Sequence, residues 1–120
     1  MDDFETIYLE GVYVIAVNVC RSTIKEASAF RKIVEQELNS GHTKLVIDLS
    51  KCVHIDSTFF GSIIKALNLT SQIGEKLKVV KPANTKEDIF LTTNTLDLFD
   101  LYKTREDAIK SYEIDSQANN

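Results

Sequence analysis

The sequence predicts an α/β fold: a single domain over about residues 5–112, with a mixed sheet of four or five strands and about four helices packed on it. Three observations lead there. Short runs rich in Val and Ile alternate with stretches whose apolar residues recur at helical spacing, the pattern of strands joined by helical crossovers. Two of those runs, Val12–Val19 and Leu45–Leu49, are apolar at nearly every position, as strands covered on both faces are. The first two strand-like runs are separated only by Glu10-Gly11, which fits a tight hairpin and makes the sheet mixed.

Each element has its own signals. Ile7–Leu9 is a short apolar-leaning run that stops at Gly11, and Val12–Val19 follows as a central strand. Thr23 with Glu26 three residues on has capping-box spacing, in which each side chain satisfies an orphan backbone N–H. Ala27, Phe30, Val34 and Leu38, with Ile33 beside them, form the buried stripe of that helix, and Asn39-Ser40-Gly41 ends it. Leu45–Leu49 is a buried strand, and Ser50–Ile55 returns the chain to the sheet edge. Asp56 or Ser57 caps the next helix, whose expected buried stripe is Phe60, Ile63, Ile64, Leu67 and Ser71 and whose end is Ile73-Gly74. Leu77–Val80 is a strand broken at Pro82. Asn84 with Glu87 starts a short helix to about Thr92, Leu98–Lys103 passes through a brief strand, and Thr104 with Asp107 caps a last helix to Tyr112. The polar residues Glu113–Asn120 are expected to be a disordered tail.

The totals exclude several classes. A formal net charge of −4 argues against a nucleic-acid surface, and Lys76, Lys78 and Lys81 are expected to be solvated side chains around a strand. Cys20 and Cys52 form no C-x-x-C, so neither a zinc site nor a disulfide framework is expected. The N-terminus, MDDFETIYLEG, lacks a secretion-signal pattern, and no apolar run approaches the roughly 20 residues of a membrane span. The expected location is the cytoplasm, which makes Asn68-Leu69-Thr70 a chance match to a glycosylation acceptor.

The candidate chemistry is sparse. His54, Asp56 and Ser57 are the residue types of a hydrolase triad, but triads are assembled from distant parts of a chain, and no G-x-S-x-G elbow is present. His54 reads as a strand-end residue, and His42 as a turn residue with no obvious partner. Four glycines leave no Gly-rich phosphate loop, and Asp97 and Asp100 are expected on a wet surface. No cofactor or metal is expected. What remains is HIDSTFFGS, His54–Ser62, which sets Asp56, Ser57 and Thr58 at a helix start; capping alone accounts for that pattern.

Leu45-Val46-Ile47-Asp48-Leu49-Ser50, then Ile55-Asp56-Ser57-Thr58, then Gly61, Ile63 and Ile64, resembles the signature of STAS domains, the anti-anti-sigma-factor family: an apolar strand, "DLS", a short return, then "DSSGLG" opening a helix. Leu98-Phe99 and Leu101–Ile109 resemble the family's closing strand and its "T-x-E-E-A" helix. The resemblance covers about residues 5–112. It implies a non-catalytic, cytoplasmic binding module of a partner-switching pathway that regulates transcription, an anti-sigma factor antagonist. Its partners would be an anti-sigma serine kinase and a cognate phosphatase. Ser57 takes the place of the phosphoacceptor, Thr58 is the neighbouring or alternative hydroxyl, Asp56 is a cap carboxylate, and the implied partner surface is Asp56, Ser57, Thr58, Phe59 and Ser62. The alternatives are a constitutive STAS scaffold or accessory subunit, in a stressosome-like or transport assembly, and, more remotely, a small serine hydrolase. This chain has Phe59-Phe60 where the family has Gly-Leu, and Val17-Asn18-Val19-Cys20 where the family has an acidic turn. The helical angle of Phe59 favours an exposed interface anchor beside Ser57, with packing under a loop as the other placement.

Overall fold

A computed structural model describes residues 4–18, 21–22, 24–52, 54–55, 57–75, 77–82 and 99–118. A five-stranded mixed sheet is built from β1 (Phe4–Leu9), β2 (Val12–Val17), β4 (Leu45–Asp48), β6 (Leu77–Val80) and β7 (Phe99–Tyr102), in the order β1-β2-β4-β6-β7. A second, two-stranded sheet pairs β3 (Arg21–Ser22) with β5 (His54–Ile55). Three helices, α1 (Ile24–Asn39), α2 (Ser57–Gln72) and α3 (Arg105–Ala118), occupy the described residues. The fourth expected helix, from Asn84 to about Thr92, lies outside them.

The hairpin pairs Leu9 with Val12 and Phe4 with Val17. Its two turn residues both have positive φ, Glu10 at 52° and Gly11 at 82°, as a type I′ turn needs to match the twist of the strands. From β2 onward every pairing is parallel: Ile15 lies beside Ile47, Ile47 beside Val79, and Val79 beside Leu101. Connections that step in one direction along a parallel sheet keep their helices on one face. Accordingly α1 and α2 lie together over Ile15, Val17, Leu45, Ile47, Leu77 and Val79. The alternate residues Val12, Val14, Val46 and Val80 face Ala108, Ile109 and Tyr112 of α3. This two-sided cover is why Leu45–Leu49 is buried at every position.

The expected stripe of α1 holds: Ala27, Phe30 and Val34 are buried, and Ile33 and Leu38 pack partly against the core. Its capping residue, Thr23, lies outside the described residues. The buried face of α2 differs from the expected one. Phe59, Phe60, Ile63, Ala66, Leu67 and Thr70 are buried, Ile64 is half-buried and Ser71 is exposed. The buried face is shifted toward Phe59, Ala66 and Thr70 while Phe60, Ile63 and Leu67 stay within it, and the buried Thr70 hydroxyl is satisfied by donating to the Leu67 carbonyl at 2.9 Å. α2 ends as expected at Gly74 (φ 82°), where Gly74 N–H donates to Ser71 O and Glu75 N–H to Thr70 O. This is the paired-bond ending that a left-handed residue permits, and α1 ends the same way at Gly41.

α3 starts where Thr104 predicts: its Oγ1 accepts the Asp107 N–H at 3.1 Å. It does not stop at Tyr112. Nothing from Glu113 to Ala118 is Gly or Pro, and the helix runs on to Ala118, into the stretch expected to be a disordered tail. Two expectations about charged residues are also corrected. Lys78 is not solvated but 2% exposed, on the face that α3 covers. Its Nζ donates to Asp100 Oδ2 at 3.2 Å and stands 5.0 Å from the centre of the Tyr112 ring. Asp100 is therefore the half-exposed partner of a buried cation across the β6–β7 register and not a fully solvated carboxylate; Asp97 lies outside the described residues.

Candidate functional site

The site is assembled by the small second sheet. Past the carboxyl end of β4, Cys52 N–H donates to Leu49 O at 2.9 Å, and the buried Cys52 thiol lies 3.9 Å from Val17 O of β2. β5 then pairs in parallel with β3, Arg21 beside His54 and Ser22 beside Ile55. Two residues after that last pair, each chain segment enters a helix: α1 at Ile24 and α2 at Ser57. The register of β3 with β5 thus sets the N-termini of α1 and α2 side by side at the carboxyl ends of β2 and β4. In parallel α/β sheets this is the end that carries binding sites.

Ser57 is the first residue of α2, and Asp56 lies outside the described residues. Thr58 is exposed, and Ser62, one turn on, is half-buried, with its hydroxyl 3.5 Å from the Thr58 carbonyl. Phe59 is not exposed. It is fully buried, stacked nearly parallel on Phe4 of β1 at 6.4 Å between ring centres and tilted against Phe30 of α1 at 5.2 Å. Phe4 and Phe30 also touch, at 6.1 Å, so three rings lock α2 to α1 and to the edge strand. The exposed placement fails because the covered face of α2 runs through Phe59, Ile63 and Thr70, where Phe4 and Phe30 receive the ring. A buried ring offers no surface to a partner, and the outer surface here belongs to Thr58, Gly61 and Ser62.

The other candidates have structural occupations. His42 has the partners its sequence position hides: Nδ1 lies 2.8 Å from Glu37 Oε2, and the ring stacks on Tyr13 at 4.0 Å between centres. Asp48, the aspartate of the "DLS" turn, accepts the Ser50 N–H at 3.0 Å on one oxygen and Arg105 Nε at 2.9 Å on the other. That carboxylate joins the end of β4 to the start of α3, on the side of the sheet away from α1 and α2. Among the described residues, no three His, Cys, Asp or Glu side chains converge as metal ligands would.

Sequence reading missed the surface next to Thr58. A groove between α1 and α2 is lined there by Ile24, Ala27 and Ser28 on one side and Gly61, Ser62 and Lys65 on the other, with Arg31 along it. Read as separate helices, Arg31 falls on a solvated face, and only Gly61, a glycine inside a helical pattern, signals something beyond folding.

The STAS domain profile matches residues 10–108. A protein of Thermotoga neapolitana assigned as an anti-sigma factor antagonist is 31% identical over 91 residues, which cover 75% of this chain and 80% of that protein. The crystal structure of a protein with the same assignment from Thermotoga maritima superposes with a TM-score of 0.79 at 28% identity, covering 90% of this chain and 92% of that one. The Bacillus cell fate determinant SpoIIAA in its phosphorylated form matches with a TM-score of 0.71 over 91% of this chain and 98% of its own. At 14% identity that likeness concerns the fold alone. The family match over most of the chain, together with the mixed sheet, the paired helix starts and the Ser-Thr opening of α2, establishes that the chain belongs to the STAS domain family.

Proposed function

We propose that the chain is an anti-sigma factor antagonist, a non-catalytic binding module whose hold on an anti-sigma serine kinase is controlled by reversible phosphorylation of Ser57. The observation that carries this reading is the position of Ser57 as the first residue of α2, beside the start of α1 and followed by the exposed Thr58. The relatives assigned as anti-sigma factor antagonists support the partner class. SpoIIAA, whose fold this chain shares, is described in both an unphosphorylated and a phosphorylated form, so a domain of this architecture accommodates the phosphoryl group.

The physical logic is one of unequal tolerance. In the reaction, the Ser57 hydroxyl oxygen attacks the γ-phosphorus of ATP, ADP leaves, and the hydroxyl proton passes to a base of the kinase; a phosphatase later cleaves the ester with water. The product adds about −1.5 to −2 charges at pH 7. A helix N-terminus, with its free N–H groups and partial positive charge, favours such an anion by about 0.3–1 kcal/mol. A partner surface fitted to the neutral hydroxyl loses several kcal/mol, and each 1.4 kcal/mol is about a tenfold loss of affinity. The fold is kept while the complex is emptied.

The test measures affinity for the anti-sigma factor of the same organism by calorimetry, alongside melting curves. Ser57→Ala is expected to fold and bind as wild type does while resisting phosphorylation, and Ser57→Asp to fold and bind at least tenfold more weakly. Wild type incubated with ATP and the kinase gains the mass of one phosphoryl group, and Thr58→Ala still gains it. Equal affinity for wild type and both Ser57 variants would leave Ser57 a helix cap and favour the constitutive scaffold.

A further inference from the structure

The groove between α1 and α2 has a volume of about 410 Å³ at its end beside Thr58. It continues past Arg31 and Lys65 into a second hollow of about 470 Å³, flanked by Lys32, Glu35 and Leu69. Three features of it have no explanation inside this chain. The first is Gly61, in the interior of α2, where glycine destabilises a helix relative to alanine. A Cβ built there meets nothing within 4 Å, so no neighbour in the fold requires the bare backbone. The second is charge. The chain carries a net −4, yet among the described residues the groove gathers Arg31, Lys32 and Lys65 against the single carboxylate of Glu35. Arg31 and Lys65 are exposed and form no ion pair among the described residues. The adjacent N-termini of α1 and α2 add partial positive charge at the same end. The third is Ile24, 73% exposed at the mouth of the groove.

We propose that this groove docks an acidic segment of the protein partner: its main chain closes on Gly61, an apolar side chain covers Ile24, and its carboxylates pair with Arg31 and Lys65. Close approach of a partner's backbone is what a missing side chain permits. Burying Ile24 supplies an apolar contact, and the two cations select for acidic segments. The proposal rests on the reading of this end of the domain as a partner surface, and adds what the partner must carry. It also gives phosphorylation a local target, since a phosphoryl group at the start of α2 competes with the segment's carboxylates for the same positive field.

The experiment titrates the isotope-labelled full chain, followed by amide resonances, with a synthetic Glu/Leu peptide of helical spacing and with its Lys/Leu counterpart. The Glu/Leu peptide is expected to move the resonances of Ile24, Ser28, Arg31, Gly61 and Lys65, and the Lys/Leu peptide to leave them in place. The double variant Arg31→Glu, Lys65→Glu should lose the response. Gly61→Leu should melt no lower than wild type and bind at least tenfold more weakly, with Gly61→Ala between the two. No response to the Glu/Leu peptide, equal response to both peptides, or undiminished binding by the folded variants would overturn the proposal. A parallel titration with the anti-sigma factor separates the two readings. Unchanged affinity for it in the Arg31, Lys65 and Gly61 variants removes the groove and leaves the antagonist reading intact. If the anti-sigma factor fails to bind wild type while the Glu/Leu peptide fills the groove, the antagonist reading falls and the groove stands.

Discussion

Phe59 fixes the angle at which α2 presents its hydroxyls. Its ring packs against both Phe4 and Phe30, so rotation of α2 about its axis disturbs those contacts. Thr58 and Ser62 are held outward by that constraint, without hydrogen bonds to the core. Phe59→Ala should therefore cost about 3–5 kcal/mol, as deletion of a buried phenyl ring does, read from the shift of a urea unfolding curve. A variant with unchanged stability and weakened partner binding would return the ring to the surface. The sequence made Ser57 and Thr58 legible because a hydroxyl pair after an apolar strand is a local pattern. Phe59 was not legible because its burial depends on Phe4, 55 positions away, and on Phe30 of the neighbouring helix. Helical angle alone cannot choose between Phe59 and Ile64 as members of the buried face: each lies about one step from the line through Phe60, Ile63 and Leu67.

Element boundaries follow the locality of their causes. The hairpin at Glu10-Gly11, the ends of α1 and α2 at Gly41 and Gly74, and the start of α3 at Thr104 each arise from bonds spanning at most five residues, and each is readable in the sequence. Thr104→Ala should lower stability by about 1 kcal/mol, while Thr104→Ser, which keeps the oxygen, stays near wild type; urea midpoints for the two decide it. Equal midpoints for the alanine and serine variants would show that the Asp107 N–H is satisfied by water without cost. The far end of α3 had no such signal. Polar composition from Glu113 onward reads as a tail, yet a helix already nucleated and packed at Ala108, Ile109 and Tyr112 can propagate through a stretch without Gly or Pro, and it runs to Ala118. The pairing of β3 with β5 was also hidden, since two-residue strands carry no periodicity. The sequence placed Ser57 at a helix start, but the structure is needed to set α1 beside it.

At the scale of the whole molecule, the sheet has one side held by aliphatic and aromatic packing under α1 and α2 and another that mixes packing with charge under α3. On the second side Tyr112 donates its hydroxyl to Leu45 O at 2.7 Å, Arg105 pairs with Asp48, and Lys78 runs beneath α3 to Asp100. The element order and the apolar strands predicted two covered faces. They did not predict that a lysine would lie in one of them, because its partner stands 22 positions away and reaches it only through the β6–β7 register. Such a pair is asymmetric in its energetics. Removing both charges is close to neutral, since a well-packed apolar side chain avoids the desolvation that the pair must offset. Removing the carboxylate alone leaves an ammonium in a site that is 2% exposed. Asp100, with its side chain 33% exposed, is the wetter partner, which puts the loss at the lower end of the usual range for a broken buried pair. Asp100→Ala is thus expected to cost about 3 kcal/mol, whereas Lys78→Met, similar in length and able to pack against the Tyr112 ring, stays within about 1 kcal/mol of wild type. Combining Lys78→Met with Asp100→Ala should recover most of the loss, because the stranded charge is gone. Urea denaturation of the two single variants and the double variant measures the coupling. Additive losses would mean that Lys78 is stabilised by its aromatic neighbours independently of Asp100, and the hold on α3 would then lie with Tyr112 and with Arg105–Asp48.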